Sequence, residues 1–134
     1  MLAKFVIGMK SFTKHFKVYF GDTDAAGVVY HGKYIYWLEA ARIDFLDSIG
    51  CSYKSLQDQD IGLMPVDISI QYIKPLRFSD EFHIDVQLAD ITKASLSIKS
   101  KFIFNHNIIN TSLVKLVCIN EKTWKPRKIP EILL

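Results

Sequence analysis

The sequence has few of the features that mark specialised classes of protein. It contains only two cysteines, Cys51 and Cys118, whose spacing matches no metal-ligand pattern, so we expect two reduced thiols in a cytoplasmic protein. No apolar run approaches the roughly 18 residues of a membrane-spanning helix, and the apolar stretch near the N-terminus is too short for a secretion signal. A net charge of +3 is too small to argue for nucleic acid as a partner.

What is present is an ordinary globular composition. The chain has 134 residues, of which 49% are hydrophobic and 23% charged, enough for one domain with a core of its own. It shows no repeats, no low-complexity segment and no linker. We therefore expect residues 1–10 to form an N-terminal tail and residues 11–134 to form a single domain.

Hydrophobic periodicity divides this domain into one helix and five strands. Residues 13–20 alternate, with Phe16, Val18 and Phe20 on one face, which predicts a half-buried strand. Residues 32–49 switch to spacings of three and four, which predicts a helix that ends at Gly50. After a loop at 51–62, four further strands are predicted at 66–72, 82–88, 96–104 and 113–119, the last apolar enough to be covered on both faces.

The resulting order is β-α-β-β-β-β, with hairpin-length connections between the last four strands. A single amphipathic helix must bury its apolar stripe against the only sheet available. The pattern therefore predicts an α+β fold in which an antiparallel sheet wraps around one long helix. Such a sheet keeps open edges, and we expect the chain to associate with itself.

The loop between the first strand and the helix carries the most chemistry. It places Asp22, Asp24, Gly27 and His31 within ten residues, directly before a helix N-terminus. Free backbone N–H groups and the positive end of the helix dipole stabilise developing negative charge there, and a neighbouring carboxylate supplies an attacking oxygen or a base. Divalent metals need more oxygen ligands than this loop offers, so no metal is expected.

The string from Val18 to His31, with Tyr34 and Arg42 on the following helix, resembles the hotdog-fold acyl-CoA thioesterases. The similarity is to the 4-hydroxybenzoyl-CoA thioesterase type, in particular its Tol-Pal-associated bacterial branch. It covers residues 13–130 and includes the segments at 62–66 and 125–130. The resemblance implies a coenzyme A thioester substrate, no cofactor, and a homodimer or homotetramer with its active sites at the dimer interface.

The resemblance also implies roles for particular residues. Asp24 would be the catalytic carboxylate, as nucleophile or general base, and the backbone N–H of His31 would hold the oxyanion. Asp22, Gly27 and Tyr30 are candidates for supporting roles, with Asp22 more simply a loop-capping residue. Two weaker sets are an acyl pocket (Leu63, Met64, Pro65) and a group of cations for the coenzyme A phosphates (Lys93, Lys125, Arg127, Lys128).

The expected activity is hydrolysis of a small acyl- or aroyl-CoA to free acid and coenzyme A. One alternative is a 1,4-dihydroxy-2-naphthoyl-CoA hydrolase of quinone biosynthesis, which only substrate turnover separates from the first reading. Another is a non-catalytic module that binds acyl chains, against which the carboxylate of Asp24 argues. A hotdog hydratase is disfavoured by the loop spacing, and no serine or cysteine nucleophile motif is present. The sequence leaves open the acyl group, its carrier and the oligomeric state.

Overall fold

The computed structural model describes residues 11–134, and its elements follow the predicted order with one addition. The strands are β1 (Ser11–Lys17), β2 (Ile61–Tyr72), β3 (Glu81–Ile91), β4 (Ser95–Phe104) and β5 (Asn107–Asn120). The long helix α1 spans Lys33–Ser48, and a short helix α2, Tyr53–Asp58, occupies part of the predicted loop. Residues 1–10, predicted to be a tail, lie outside the described residues.

The five strands form one antiparallel sheet in the order β1-β3-β4-β5-β2. Helix α1 packs on one face of it through side chains at spacings of three and four, among them Tyr34, Trp37, Ala41 and Phe45, all buried. Phe45 is fully buried in the core that α1 shares with the sheet, and its loss to alanine is expected to cost about 3–5 kcal/mol. The α+β architecture predicted from the periodicity is therefore confirmed.

The ends of the helices have local causes. Gly50, with φ of +86°, terminates α1 in the left-handed conformation that glycine adopts without strain. The unpredicted helix α2 begins where the Ser52 hydroxyl accepts a hydrogen bond from the Ser55 amide, 3.1 Å away. No helix among residues 11–134 is long and apolar enough to cross a membrane.

Two sequence predictions about strands are wrong. The first strand ends at Lys17, and Phe20, predicted to face the core, is 76% exposed because the chain enters a short 3-10 turn at Phe20–Asp22. The apolar strand β5, predicted to be covered on both faces, is covered on one face only. Leu113 is 47% exposed and Lys115 is exposed, because the helix lies on the opposite side of the sheet. β5 is nevertheless an internal strand, paired with β4 and β2.

β2 is an edge strand, and it is longer than predicted. It begins at Ile61, because residues 61–65 already pair with the end of β5, and its register shifts between Pro65 and Asp67. Proline is tolerated there because an edge strand does not need every N–H group for pairing. One side of β2 is left without a neighbour in the described part of the chain.

Candidate active site

The loop after β1 folds into a tight turn that ends at the helix. The amide of Asp24 donates to the carbonyl of Val28 (2.9 Å), and the amide of Tyr30 donates to the carbonyl of Asp22 (3.0 Å). Gly27 turns the chain between them with φ of +81°, a conformation that costs glycine little. The turn thus fixes the backbone of Asp24 within the loop that precedes α1.

The two aspartates of the loop have different surroundings. The carboxylate of Asp22 is engaged on both oxygens: Oδ2 accepts from the amide of Tyr19 at 2.9 Å, and Oδ1 lies 3.2 Å from Nζ of Lys33. Asp24 is exposed, and its Oδ1 accepts from the amide of Ala26 at 2.9 Å. Within residues 11–134 nothing donates to Oδ2 of Asp24, so this oxygen is free to act on a substrate.

The N-terminus of α1 supplies unoccupied hydrogen-bond donors. No side chain caps the helix at Gly32, and the N–H groups of His31 and Gly32 have no acceptor in the described residues. These are the donors that the positive end of a helix offers to an anion. The carbonyl of His31 accepts a hydrogen bond from the hydroxyl of Tyr72 at 2.9 Å, which fixes the peptide plane between His31 and Gly32.

Tyr30 covers the start of the helix. A Cβ atom placed on Gly32 would lie 2.6 Å from a ring carbon of Tyr30, so the glycine is needed for this close approach. The ring of Tyr30 also contacts the ring of His31, with centroids 4.6 Å apart. Gly32 was not singled out in the sequence, where it was only the first residue of the predicted helix.

A pair of tyrosines forms the wall behind His31. The ring of Tyr34 meets that of Tyr72 edge-on at 5.2 Å, and the Tyr34 hydroxyl accepts from the amide of Leu76 at 3.2 Å. Burial raises the pKa of both hydroxyl groups, so Tyr72 remains a protonated donor at neutral pH. A cavity of about 280 Å³ opens beside this wall and is lined mainly by apolar side chains together with His31 and Lys74.

The predicted acyl pocket lies at the opposite end of β2. Leu63 and Met64 line a largely apolar cavity of about 380 Å³, whereas Pro65 does not contribute to it. Nine residues of extended strand, about 30 Å, separate Leu63 from Tyr72 and hence from His31. One chain alone therefore does not bring this cavity to Asp24.

The four predicted phosphate-binding cations lie at that same far end. The carbonyl of Lys93 accepts from the amide of Ile129, and the amide of Arg127 donates to the carbonyl of Cys118, beside which Leu63 is paired in the sheet. Lys125 and Lys128 flank Arg127 in the same segment. The structure thus brings these residues together with Leu63 and Met64, and not with Asp24.

The arrangement defines a class of protein: a five-stranded antiparallel sheet wrapped around one long helix, with a carboxylate loop at the helix N-terminus, is the hotdog fold. A sequence profile of the thioesterase-like superfamily matches residues 18–134. The chain belongs to this superfamily. Among the described residues, no three His, Cys, Asp or Glu side chains are placed to hold a metal ion.

Individual relatives agree with this assignment. The chain is 29% identical over 116 residues to the acyl-CoA thioester hydrolase YbgC of Escherichia coli, covering 86% of this chain and 87% of that protein. It is 30% identical over 116 residues to a 1,4-dihydroxy-2-naphthoyl-CoA hydrolase of Prochlorococcus marinus, with 81% and 75% covered. Among solved structures, a gentisyl-coenzyme A thioesterase superposes with a TM-score of 0.86 at 32% identity, covering 91% of this chain and 98% of the other.

Proposed function

We propose that this protein is an acyl-CoA thioesterase that hydrolyses a small acyl- or aroyl-CoA to the free acid and coenzyme A. The thioester hydrolase class is what the superfamily and its named relatives share. Two observations support this site: one carboxylate oxygen of Asp24 is free, and the N–H groups of His31 and Gly32, which end the same loop, are unoccupied. One supplies the attacking oxygen or base, and the other supplies the oxyanion site.

The reaction needs little beyond these groups. Either Asp24 attacks the carbonyl carbon directly, forming an anhydride that water then hydrolyses, or it takes a proton from the water that attacks. In both routes the carbonyl oxygen becomes negative, and the N–H groups of His31 and Gly32 stabilise it. The C–S bond then breaks and releases coenzyme A as a thiolate. Oxyanion donors of this kind are worth about 3–4 kcal/mol each in the transition state.

The edge strand β2 supports a homodimer. Its side chains Val66 and Ile68 are 55% and 41% exposed, and Ile35 of α1 is 43% exposed. An unpaired strand with exposed apolar side chains tends to pair with another strand, and a second copy of β2 offers the same surface. We therefore propose that two copies join through β2, with pairing of dimers into a tetramer as a further step.

Such a dimer would complete the active site. If two copies of β2 pair antiparallel, the start of one strand lies beside the end of the other. The cavity of Leu63 and Met64, with the neighbouring cations, then approaches Asp24 and His31 of the other copy. This accounts for the 30 Å that separates the two regions within one chain. The site would be shared by both protomers, as the sequence resemblance implies.

A second candidate is hydrolysis of 1,4-dihydroxy-2-naphthoyl-CoA. The Prochlorococcus marinus relative carries that name at 30% identity. The chemistry at Asp24 would be the same, and only the acyl group would differ. The non-catalytic alternative gains no support, because Oδ2 of Asp24 has no structural partner in the described residues. A cytoplasmic location stays a prediction.

Thiol release from a panel of thioesters tests the proposal. The panel holds short aliphatic, 4-hydroxybenzoyl, gentisyl and 1,4-dihydroxy-2-naphthoyl thioesters of coenzyme A. Asp24→Asn should lower kcat by about a thousandfold or more on the best substrate, because it removes the attacking oxygen or base. Asp47→Asn, an exposed carboxylate at the other end of α1, is the matched control and should match the wild type. Equal turnover in wild type and Asp24→Asn would refute the assignment.

A further inference from the structure

Three of the four histidines of the chain line one cavity near the β1 edge of the sheet. The cavity has a volume of about 290 Å³, and its lining includes His15, His83 and His106 together with Glu81. β2, through which we propose that two copies pair, forms the opposite edge of the sheet. The reaction proposed at Asp24 uses none of these side chains, so the cluster invites a role of its own.

His15 and His83 face each other across two paired strands. They are direct partners in the register of β1 and β3, and their ring centres lie 5.3 Å apart. The adjacent residues Phe16 and Phe82 both contact Trp37 of α1, so alternation along the strands puts the two histidines on the face that the helix leaves open. Two imidazoles bound to one tetrahedral Zn²⁺ at the usual Zn–N distance have ring centres about 5 Å apart. The strand pairing thus holds the rings at the separation that a shared metal ion requires.

A carboxylate stands beside one ring of the pair. Oδ1 of Asp85 lies 3.7 Å from Nε2 of His83, and it accepts a hydrogen bond from the hydroxyl of Thr13 at 2.7 Å. Histidines that bind metal commonly have such a carboxylate next to the ring nitrogen that does not bind, where it orients the ring and raises its basicity. Asp85 therefore leaves Nδ1 of His83 as the nitrogen for a metal, while Glu81 adds negative charge to the same cavity.

Two lysines flank these carboxylates without pairing with them. Lys17 is opposite Glu81 in the register of β1 and β3, and Lys101 is opposite Asp85 in the register of β3 and β4. Neither lysine forms an ion pair within residues 11–134. No fixed ion pair with lysine therefore cancels the charge of the carboxylates, and both would attract a divalent cation.

We propose that His15 and His83 form a site for a divalent transition metal, which goes beyond the proposed thioesterase activity. The neutral imidazole is the commonest protein ligand for such metals, and Zn²⁺ is among the ions that it suits. Among the described residues no third His, Cys, Asp or Glu is in place to coordinate the same ion, so water would fill its remaining positions. The metal would fasten the edge strand β1 to β3 just before the chain enters the loop of Asp24.

Calorimetric titration with zinc chloride tests the site, on the full chain without a histidine tag. The wild type should bind one Zn²⁺ per chain. Asp85→Asn should weaken binding by about ten- to a hundredfold, the usual effect of losing a carboxylate behind a metal-binding histidine, and His15→Gln and His83→Gln should each weaken it by at least as much. His106→Gln is the matched control, because it removes a histidine of the same cavity that lies outside the pair, and it should bind as the wild type does.

Unfolding in urea provides a second readout. An ion that binds only the folded chain opposes unfolding, so free zinc at about a hundred times Kd should lower the equilibrium constant of unfolding of the wild type about a hundredfold. The double variant with His15→Gln and His83→Gln should lack this effect. It keeps both cysteines, so any zinc on the thiols of the unfolded chain affects the two proteins equally.

Three results would overturn the proposal. They are no zinc binding by the wild type, equal affinity in the wild type and the double variant, and a loss of affinity in His106→Gln as large as in His15→Gln. Weaker binding confined to the variants of the pair and of Asp85, with zinc-dependent unfolding in the wild type, would support it. Neither readout uses thioester turnover, so the outcome is independent of the proposed function.

Discussion

Tyr72→Phe tests whether β2 positions the oxyanion site. The substitution removes the hydroxyl that donates to the carbonyl of His31 at 2.9 Å, and it keeps the ring that meets Tyr34 edge-on at 5.2 Å. The peptide between His31 and Gly32 then loses the bond that fixes its plane. A hydrogen bond of this type contributes about 0.5–1.5 kcal/mol.

If this hydrogen bond stabilises mainly the transition state, its loss should lower kcat by about two- to tenfold, since 1.4 kcal/mol corresponds to a factor of ten. KM should change little, because the cavity beside the wall keeps its apolar lining. The assay is steady-state thiol release together with thermal unfolding of each variant. Tyr36→Phe is the control, since Tyr36 is 64% exposed and its hydroxyl has no hydrogen bond in the described residues.

The result that refutes this reasoning is a lower Tm with an unchanged kcat. It would mean that the Tyr72 hydroxyl stabilises the junction of β2 and α1 without positioning the His31 peptide. A loss of kcat at unchanged Tm would support positioning. A rise in KM alone would place the hydroxyl in substrate binding and would also contradict the prediction.

Three further perturbations follow from the same contacts. Gly32→Ala forces the ring of Tyr30 aside and should lower kcat by about tenfold or more. Gly21→Ala, which has open space around it, is the control and should leave kcat unchanged. Equal rates in the two variants would contradict a role for the close approach of the Tyr30 ring to Gly32. Ile68→Lys should yield a smaller species in light scattering with little turnover, unlike Ile108→Lys at the exposed start of β5. An active monomer would exclude the shared site. Burial raises the pKa of Tyr34 and Tyr72 in the folded state, so these hydroxyl groups ionise at lower pH in the unfolded chain. The free energy of unfolding measured by urea titration should therefore be insensitive to these two groups below about pH 9 and should fall above about pH 10. A profile that stays flat above about pH 10 would exclude a contribution of the two tyrosines.

The fold could be predicted from the sequence wherever one face of an element decides its pattern. The spacing of Trp37, Ala41 and Phe45 identifies α1, because only one side of that helix enters the core. The pattern fails where tertiary context decides. Phe20 has the right spacing for a strand, yet the chain turns before it, and the apolar run in β5 cannot show which of its faces a helix covers.

The site residues likewise fall into those that a local sequence pattern reveals and those that only the tertiary structure reveals. Asp24 and His31 lie within the one loop that precedes α1, so a local string reveals them together. Tyr72 lies 41 residues from His31 in sequence, and the two meet because the end of β2 passes the start of α1. Only topology reveals that contact.

β2 connects assembly with chemistry. At the end of β2, the hydroxyl of Tyr72 donates to the carbonyl of His31 in the same chain. Along the middle of the strand, Val66 and Ile68 are exposed on an edge that has no neighbour in the described residues. At its start, Leu63 lines the apolar cavity. Pairing through β2 would therefore bring the substrate cavity of one copy to an oxyanion site that the other copy has already formed. A monomer should keep the Tyr72–His31 bond and its own cavity, but the two would stay about 30 Å apart, so dilution below the dissociation constant of the dimer should reduce turnover.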